Sequence, residues 1–212
     1  MFKRKKSGEA PADEAETSEE TPAGPRANGP FDVSEVTLDE DDTDRIDLGS
    51  LLLTPHPGLD LQLQVDEASG QVVSVILAGQ TGAVELRAFA APRNGDIWDA
   101  VRRQVAGEVA RMGGTASEME GPWGTEVRVN VTVAVEDGQH VQQTSKVIGI
   151  PGPRWLLRAT LFGRPAIEHQ EDGDVETALR EVVVVRGSTP VPPGDPLPLT
   201  MPPNAQRMEP GA

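Results

Sequence analysis

The strongest constraint on the fold is a regular alternation of valine with other residues near the middle of the chain. Valine occupies every odd position from Val127 to Val135, and the positions between them are mostly polar. A period of two places alternate side chains on opposite faces of a β-strand. Leu59 to Val65 alternates in the same way, with leucine and glutamine. The sequence therefore predicts strands with one buried face and one polar face.

Short turns connect these strands to their neighbours. Glu67–Gly70, Asp137-Gly138 and Pro151–Pro153 each separate two apolar runs. Turns of this kind reverse the chain, so the neighbouring strands should pair antiparallel. The predicted strands cover residues 59–65, 71–79, 84–90, 127–135, 140–150 and 154–162.

Two predicted helices interrupt the strands, at about residues 96–114 and 173–183. The first has an apolar stripe with spacings of three and four, formed by Trp98, Val101, Val105, Val109 and Met112. Asp96 can cap its first turn, and Gly113-Gly114 can end it. Gly107 inside this helix costs about 1 kcal/mol relative to alanine. It either allows a close approach to the sheet or is merely tolerated.

The order βββ-α-βββ-α predicts an α+β fold, with an antiparallel sheet of about six strands and two packed helices. Helices on one face of the sheet would leave the polar face open, whereas helices on both faces would cover it. The sequence leaves both arrangements open. The order of elements resembles the PsbP-like antiparallel arrangement, whose members are often assembly or accessory factors, and this analogy concerns the fold alone.

A single domain, residues 45–190, is predicted between two tails. Residues 1–44 are acidic and have no periodic apolar pattern, which predicts a disordered acidic tail. Residues 191–212 are rich in proline and predict an extended tail. Ile46, Leu48 and Leu51–Leu53 should provide the first apolar anchor of the domain, which makes Arg45 its expected start.

The net charge of −15 disfavours binding to nucleic acid, because contacts with phosphate supply most of the non-specific affinity. Residues 1–45 carry 13 acids and 6 bases, and residues 46–212 carry 21 acids and 13 bases, so both parts are acidic. The chain has no cysteine, which excludes disulfides and thiol catalysis and is compatible with a reducing cytoplasm. No apolar run approaches the roughly 18–20 residues of a membrane helix, so we expect no membrane insertion.

The sequence contains no group of residues typical of a catalytic site. The three histidines, His56, His140 and His169, lie in predicted loops without the spacing of a metal-binding motif. Acids around His169 could hold a divalent cation, but they lack the order of a calcium loop. Acids that precede a helix are also favoured by the helix dipole. Nucleophile-elbow and phosphate-loop motifs are absent. We therefore predict no catalytic residue, no metal and no cofactor.

Basic residues on neighbouring strands form the most suggestive group. The candidate binding residues are Arg128, Lys146, Arg154 and Arg158, with Trp123 and Trp155 nearby in sequence. The four basic residues share even-numbered positions. If the strand registers align, they should gather on the sheet face opposite the valines and bind a carboxylate, a phosphate or an acidic partner segment. Alternatively, they pair across strands with Glu85, Glu126 and other acids.

The acidic segment of the chain itself could compete for this patch. Residues 32–44 precede the predicted domain and are strongly acidic. If they dock on the basic residues, a truncation that begins at Arg45 should change the environment of Trp155.

Several segments together resemble a known family. DRIDLGSLLLTP, LRAFAAPRNGDIWDAVRRQVAGEV, GPWGTEVR and GPRWLLRATLFG occur in the order and spacing of domain-of-unknown-function family 3710, an uncharacterised actinobacterial family. The terminal run VVVVRGSTPVPPGDPLPLTMP also fits, so the resemblance covers about residues 45–203. Pro151 departs from the family pattern, which has an acidic residue before GPRW. The resemblance implies a cytoplasmic actinobacterial protein with an acidic, variable N-terminal extension, and it implies no activity.

Two functions of different classes follow. The leading prediction is a non-enzymatic interaction or accessory domain that contacts a protein partner. The alternative is a protein, including an enzyme, that binds a small anion or metabolite on the face lined by arginine and lysine. The alternative requires a concave pocket with Trp123 or Trp155 in its wall. The sequence does not indicate an oligomeric state.

Overall fold

The computed structural model describes residues 26–38, 43–134, 138–203 and 205. The strands in these residues are β1 (Phe31–Asp32), β2 (Ile46–Asp47), β3 (Leu51–Leu53), β4 (Asp60–Val65), β5 (Val72–Ala78), β6 (Gly82–Ala90), β7 (Thr115–Gly121), β8 (Gly124–Ala134), β9 (His140–Gly152), β10 (Trp155–Gly163) and β11 (Val183–Val184). The α-helices are α1 (Trp98–Arg111), α2 (Arg164–Ile167) and α3 (Asp174–Arg180), and a short 3₁₀ helix covers Val33–Glu35.

The largest element is a seven-stranded antiparallel sheet in the spatial order β4-β5-β6-β10-β9-β8-β7. Consecutive strands pair within two meanders, β4–β6 and β7–β10. The meanders join where β6 lies beside β10, with Trp155 opposite Ala90 and Gly163 opposite Gly82. The predicted α+β class and antiparallel sheet are therefore confirmed.

One face of this sheet, which we call the core face, is buried by a second sheet and by α2 and α3. The second sheet has the order β1-β11-β3-β2. Leu48, Leu51 and Leu53, from the predicted first anchor, are at most 2% exposed. They pack in one apolar cluster with Leu86 and Leu157 of the main sheet, to which α2 and α3 also contribute.

The opposite face, which we call the helix face, is covered only in part. α1 packs on β7, β8 and β9, and its Val105 and Val109 are buried together with Val127. Met112, the last residue of the predicted stripe, is 65% exposed because it lies beyond the end of α1 at Arg111. Phe89 of β6 also packs against the α1 cluster, and among the described residues no extensive packing of a helix or of the second sheet covers the helix face of β4 and β5.

The ends of α1 are stabilised as the sequence predicts. Asp96 Oδ1 accepts a hydrogen bond from Trp98 N at 2.9 Å and so satisfies the first amide of α1, although the N-cap residue itself is Ile97. At the other end Gly113 has a φ of 74°, and Gly114 N donates to Val109 O at 2.9 Å. Gly107 points into open space, with no atom within 4 Å of an added Cβ, so it is tolerated rather than required.

Residues 26–38 belong to the folded structure, although the sequence assigns them to the acidic tail. β1 pairs in parallel with β11, and Asp32 caps the 3₁₀ helix by accepting a bond from Ser34 N. Gly29 approaches the carbonyl of Arg180 so closely that a Cβ would lie 1.9 Å from that oxygen. The rest of the predicted tail, 1–25 and 39–42, lies outside the described residues.

The predicted proline-rich tail runs extended beside β6. Ala90 N donates to Asp195 O at 2.9 Å, and Leu197 N donates to Ala88 O at 2.8 Å. β5 pairs with β6 only as far as Leu86, so this segment takes the place of β5 beyond that point. Leu197 is 3% exposed, which shows that the segment contributes to the core. Residues 204 and 206–212 lie outside the described residues.

The predicted number of strands and helices is too low. β7 joins the main sheet as an edge strand, and its sequence TASEMEG lacks a regular apolar alternation. The strands of the second sheet are two or three residues long, too short to show any period. α2 has four residues and adds a third α-helix. Val135, the last predicted valine of β8, lies outside the described residues.

Candidate functional site

The basic residues predicted from the sequence divide between the two faces of the main sheet. Arg128 lies directly opposite Lys146 on the core face, opposite the valines as predicted. Between β9 and β10, however, Lys146 pairs with Leu161 and Arg158 pairs with Gly149. Even positions of β9 therefore share a face with odd positions of β10, and Arg158 points to the helix face. The predicted gathering on one face does not occur.

Lys146 and Glu126 form a buried ion pair on the core face. They are 5% and 1% exposed, and Lys146 Nζ lies 3.5 Å from Glu126 Oε2. Gly121 leaves space for the carboxylate, since a Cβ there would lie 2.2 Å from Glu126 Cδ. A buried charge needs a partner of opposite sign. The Lys146 ammonium is therefore paired with an acid of the same protein. This is the alternative stated above, in which the basic residues pair across strands with acids such as Glu126.

Trp155 holds the N-terminal segment against the sheet. Its side chain is fully buried, and its Nε1 donates a hydrogen bond to Asp32 Oδ2 at 2.7 Å. The Arg26 guanidinium lies 5.5 Å from the centroid of the Trp155 ring. Arg26 also donates to Glu35, with an Nη2–Oε1 distance of 2.8 Å. Part of the segment 32–44 thus contacts Trp155, but through the ring nitrogen rather than through a basic patch.

Trp123 and Arg154 lie in turns. Trp123 connects β7 to β8, is 7% exposed and packs in the core-face cluster, with the Arg180 guanidinium 6.0 Å from its ring centroid. Arg154 connects β9 to β10 with a φ of 62°, and its side chain is exposed. The six predicted residues therefore do not line a single site.

Arg158 remains on the helix face, where a second arginine faces it. Arg87 of β6 lies directly opposite Arg158 across the β6–β10 pair. No described residue forms a hydrogen bond or an ion pair with Arg158, and its guanidinium lies 5.4 Å from the Phe89 ring centroid. Burial lowers the pKa of Arg158, the charge of Arg87 lowers it further, and the charges of Glu85 and Glu108 act in the opposite direction. Like charges directly opposed across strands destabilise a sheet.

Arg87 is held in place by the backbone of β5. Its Nε donates a hydrogen bond to Val73 O at 2.9 Å. β5 separates from β6 beyond Val75, which lies opposite Leu86, so the Val73 carbonyl has no partner in β6. The Arg87 guanidinium is therefore positioned across the sheet surface. Arg87 is not among the residues predicted from the sequence, because the pairing of β6 with β10 is not visible there.

The arginine pair lies beside α1, because Gly149 opposite Arg158 is covered by Trp98. It borders the part of the helix face that α1 leaves open, which we call the uncovered half. With this pair at its border, the uncovered half consists of Asp60, Gln62, Ile76, Ala78, Ala83, Glu85, Arg87, Arg158, Thr160 and Phe162. Ile76 and Phe162 are partly exposed, and Gln62 is exposed. The uncovered half is an open sheet surface with two cations, a nearby acid and apolar side chains around them.

Two small clefts lie elsewhere in the described structure. One of about 270 Å³ is lined by Gly58, Leu59, Gly79–Gly82 and the start of α3. The other, of about 340 Å³, is lined by the loop 169–173. His169 Nδ1 lies 3.9 Å from Glu176 Oε1, and His56 Nδ1 lies 3.0 Å from Pro57 O. Within the described ranges, no three or more histidine, aspartate or glutamate side chains form a group suited to a metal ion.

These observations define an α+β protein built on a seven-stranded antiparallel sheet, with an arginine pair at the border of the open part of one face. The chain belongs to the family of proteins of unknown function DUF3710, whose family model matches residues 29–208. The match includes β1 and the extended C-terminal segment, in agreement with the packing of both ends. No curated protein matches the sequence. None of the helices in the described residues is long and apolar enough to span a membrane.

Proposed function

We propose that the protein is a non-enzymatic interaction domain that binds a carboxylate-bearing segment of a partner protein on the uncovered half. The Arg158–Arg87 pair carries this proposal. The two residues lie directly opposite each other across the β6–β10 pair, and Arg158 forms no hydrogen bond or ion pair with a described residue.

A carboxylate placed between the two guanidiniums would remove their repulsion. Each guanidinium offers N–H donors in a planar fork that matches a carboxylate. A hydrogen bond to a charged group contributes about 1.5–3 kcal/mol. The arginine pair is therefore unfavourable in the free protein and favourable in the complex.

The surroundings of the pair indicate the chemistry of the partner segment. Ile76, Phe89 and Phe162 are partly exposed near the arginines, so the segment should carry apolar side chains beside its acidic residue. A small molecule is usually enclosed in a concave pocket. The open surface of a sheet suits a peptide segment better.

Affinity purification of the full-length protein from its native cell tests the proposal. The baits are the wild type, Arg158→Glu and the control Arg111→Glu, which changes an exposed residue at the end of α1 by the same charge. We expect the wild type and the control to retain a stoichiometric partner that Arg158→Glu loses, while circular dichroism shows all three to be folded. Retention of the partner by Arg158→Glu, or no stoichiometric partner at mild salt, would contradict the proposal.

The small-anion alternative makes a different prediction for the same protein. Titration with phosphate and with citrate can be followed by NMR at the Nε–H groups of Arg87 and Arg158. The alternative requires saturable shifts of both groups, whereas a peptide-binding surface should give only weak, non-saturating shifts.

The family resemblance also implies a cytoplasmic actinobacterial protein, and the order of elements resembles that of PsbP-like accessory factors. Both statements stay predictions. Localisation of the full-length protein in its native cell would test the first of them.

A further inference from the structure

We infer that Asn94 is a site of spontaneous deamidation, at which the folded protein converts an asparagine into an aspartyl or isoaspartyl residue. The chain has two Asn-Gly pairs, Asn28-Gly29 and Asn94-Gly95, and asparagine is among the thermally labile residues. The fold leaves the second pair free to react and blocks the first. This inference is independent of the proposed function.

The reaction uses the backbone nitrogen of the glycine that follows the asparagine. This nitrogen loses its proton and attacks the carbonyl carbon of the side chain, so that a C–N bond forms within a cyclic succinimide. The bond to the side-chain amino group breaks, and that group takes up the proton and leaves as ammonia. Water then opens the ring at one of its two carbonyls, which gives aspartate or isoaspartate. Glycine favours the attack because it has no Cβ to hinder a close approach of its backbone.

Asn94-Gly95 lies in the loop between β6 and α1. Both residues are exposed, and neither forms a hydrogen bond with a described residue. Gly95 has a φ of 94°, and no atom lies within 4 Å of an added Cβ. The nitrogen of Gly95 is therefore open to solvent for the loss of its proton, and no packing against the glycine resists the rotation that brings it to the Asn94 carboxamide.

Asn28-Gly29 places the same two residue types in a different setting. Gly29 N donates a hydrogen bond to Arg26 O at 3.0 Å, and Gly29 is buried. A Cβ on Gly29 would lie 1.9 Å from Arg180 O, so the glycine backbone is packed against the end of α3. Attack by Gly29 N requires that this turn open and leave its packing. The side chain of Asn28 is exposed, but its nucleophile is held.

Conversion of Asn94 changes the connection that leads into α1. It adds one negative charge to a chain of net charge −15. Asp96, two residues further on, accepts the hydrogen bond from Trp98 N at the start of the helix. An isoaspartyl product also inserts a methylene group into the backbone of this loop. The modified protein is therefore a more acidic form with an altered loop directly before α1.

Peptide mapping by mass spectrometry tests this inference on the full-length protein, incubated folded in mildly alkaline, ¹⁸O-labelled water. We expect one ¹⁸O atom to enter residue 94, in aspartyl and isoaspartyl peptides that electron-transfer fragmentation distinguishes. Residue 28 should react at least about tenfold more slowly, because a local opening must precede the reaction there. Asn94→Gln should abolish the signal at residue 94, because glutamine would have to form a larger ring. In denaturant the rates at residues 28 and 94 should converge.

The two Asn-Gly pairs make the result decisive. Absence of ¹⁸O at residue 94, or equal rates at both sites in the folded protein, would overturn the inference. A slower reaction at residue 28 that persists in denaturant would also contradict it, because the difference would then come from the neighbouring sequence rather than from the fold.

Discussion

At the residue scale, the charges on the helix face oppose the stability of the free protein. Arg158 and Arg87 lie directly opposite each other, and like charges in this arrangement destabilise a sheet. Other charges in the chain are paired, such as Lys146 with Glu126. An arginine pair that lacks an ion pair of its own, with Glu85 and Glu108 acting on it only from a distance, is typical of a binding residue rather than a structural one.

Replacement of Arg158 by glutamine should therefore raise the free energy of unfolding by about 0.5 kcal/mol at low salt, because it removes the repulsion. The gain should shrink in 1 M NaCl, where the Debye length is about 3 Å. Chemical denaturation of the wild type, Arg158→Gln and the control Arg111→Gln measures this. A loss of more than about 1 kcal/mol would instead show that the contact of Arg158 with Phe89 stabilises the fold.

The attachment of the N-terminal segment should depend on pH through Glu35. The hydrogen bond from Arg26 holds the pKa of Glu35 below its ordinary value of 4.5. A carboxyl group with a lowered pKa stabilises the fold above its unfolded pKa, and this stabilisation is lost as the pH falls through the folded pKa. Below pH 4.5 the indole N–H signal of Trp155 should move as its bond to Asp32 loosens. Identical profiles for the wild type and Glu35→Gln would refute this.

At the element scale, two glycines of the helix-face layer have opposite roles. Gly107 in α1 faces open space, whereas a Cβ on Gly149 of β9 would lie 2.3 Å from the Trp98 ring. Trp98 cannot easily move, because its Nε1 donates to Thr125 O at 2.7 Å. Gly107 is therefore not needed for packing, whereas Gly149 is required for α1 to pack on the sheet.

The change Gly107→Ala should stabilise the protein by about 0.5–1 kcal/mol, because alanine is the better helix former. The same change at Gly149 should destabilise it by about 1–3 kcal/mol through overpacking. Denaturant midpoints of the two variants, compared with the wild type, measure both effects. Equal effects of the two substitutions would show that the close approach of Trp98 to Gly149 does not control the packing of α1.

Long periodic elements were predictable from the sequence, and relations between elements were not. The valines of β8 and the stripe of α1 show their faces because the period repeats several times. β7 and the short strands of the second sheet carry no such period. The site depended on two relations that the sequence hides. One is the register between β9 and β10, which pairs even positions with odd positions and so places Arg158 on the helix face. The other is the β6–β10 pairing, which places Arg87 opposite Arg158.

At the scale of the whole molecule, both ends of the chain contribute to the fold. β1 pairs with β11, Asp32 binds Trp155, and the C-terminal segment extends β6 through Leu197. The core face is therefore closed by parts of the chain on both sides of residues 45–190, and the family match over 29–208 has the same extent.

Truncations should separate the contribution of residues 1–25 from that of the segment 26–38. A chain that begins at Arg26 should keep the free energy of unfolding of the full chain. A chain that begins at Arg45 should lose at least about 2 kcal/mol, because it lacks β1 and the charged acceptor of the Trp155 indole. Thermal and chemical denaturation of the three chains tests this. Equal stability of all three would mean that the segment 26–38 adds nothing to the fold.

The most direct measurement asks what touches the uncovered half in the cell. Thr160, beside Arg158 on this surface, is replaced by the photo-crosslinking residue p-benzoylphenylalanine in the full-length protein, and Ser117 on the edge strand β7 serves as the control position. After irradiation, mass spectrometry identifies the attached peptide. We predict that Thr160 captures an acidic segment of a partner protein, and that Arg158→Glu abolishes the capture. No product above the Ser117 control, or a product that survives Arg158→Glu, would contradict the role of the arginine pair as a binding site.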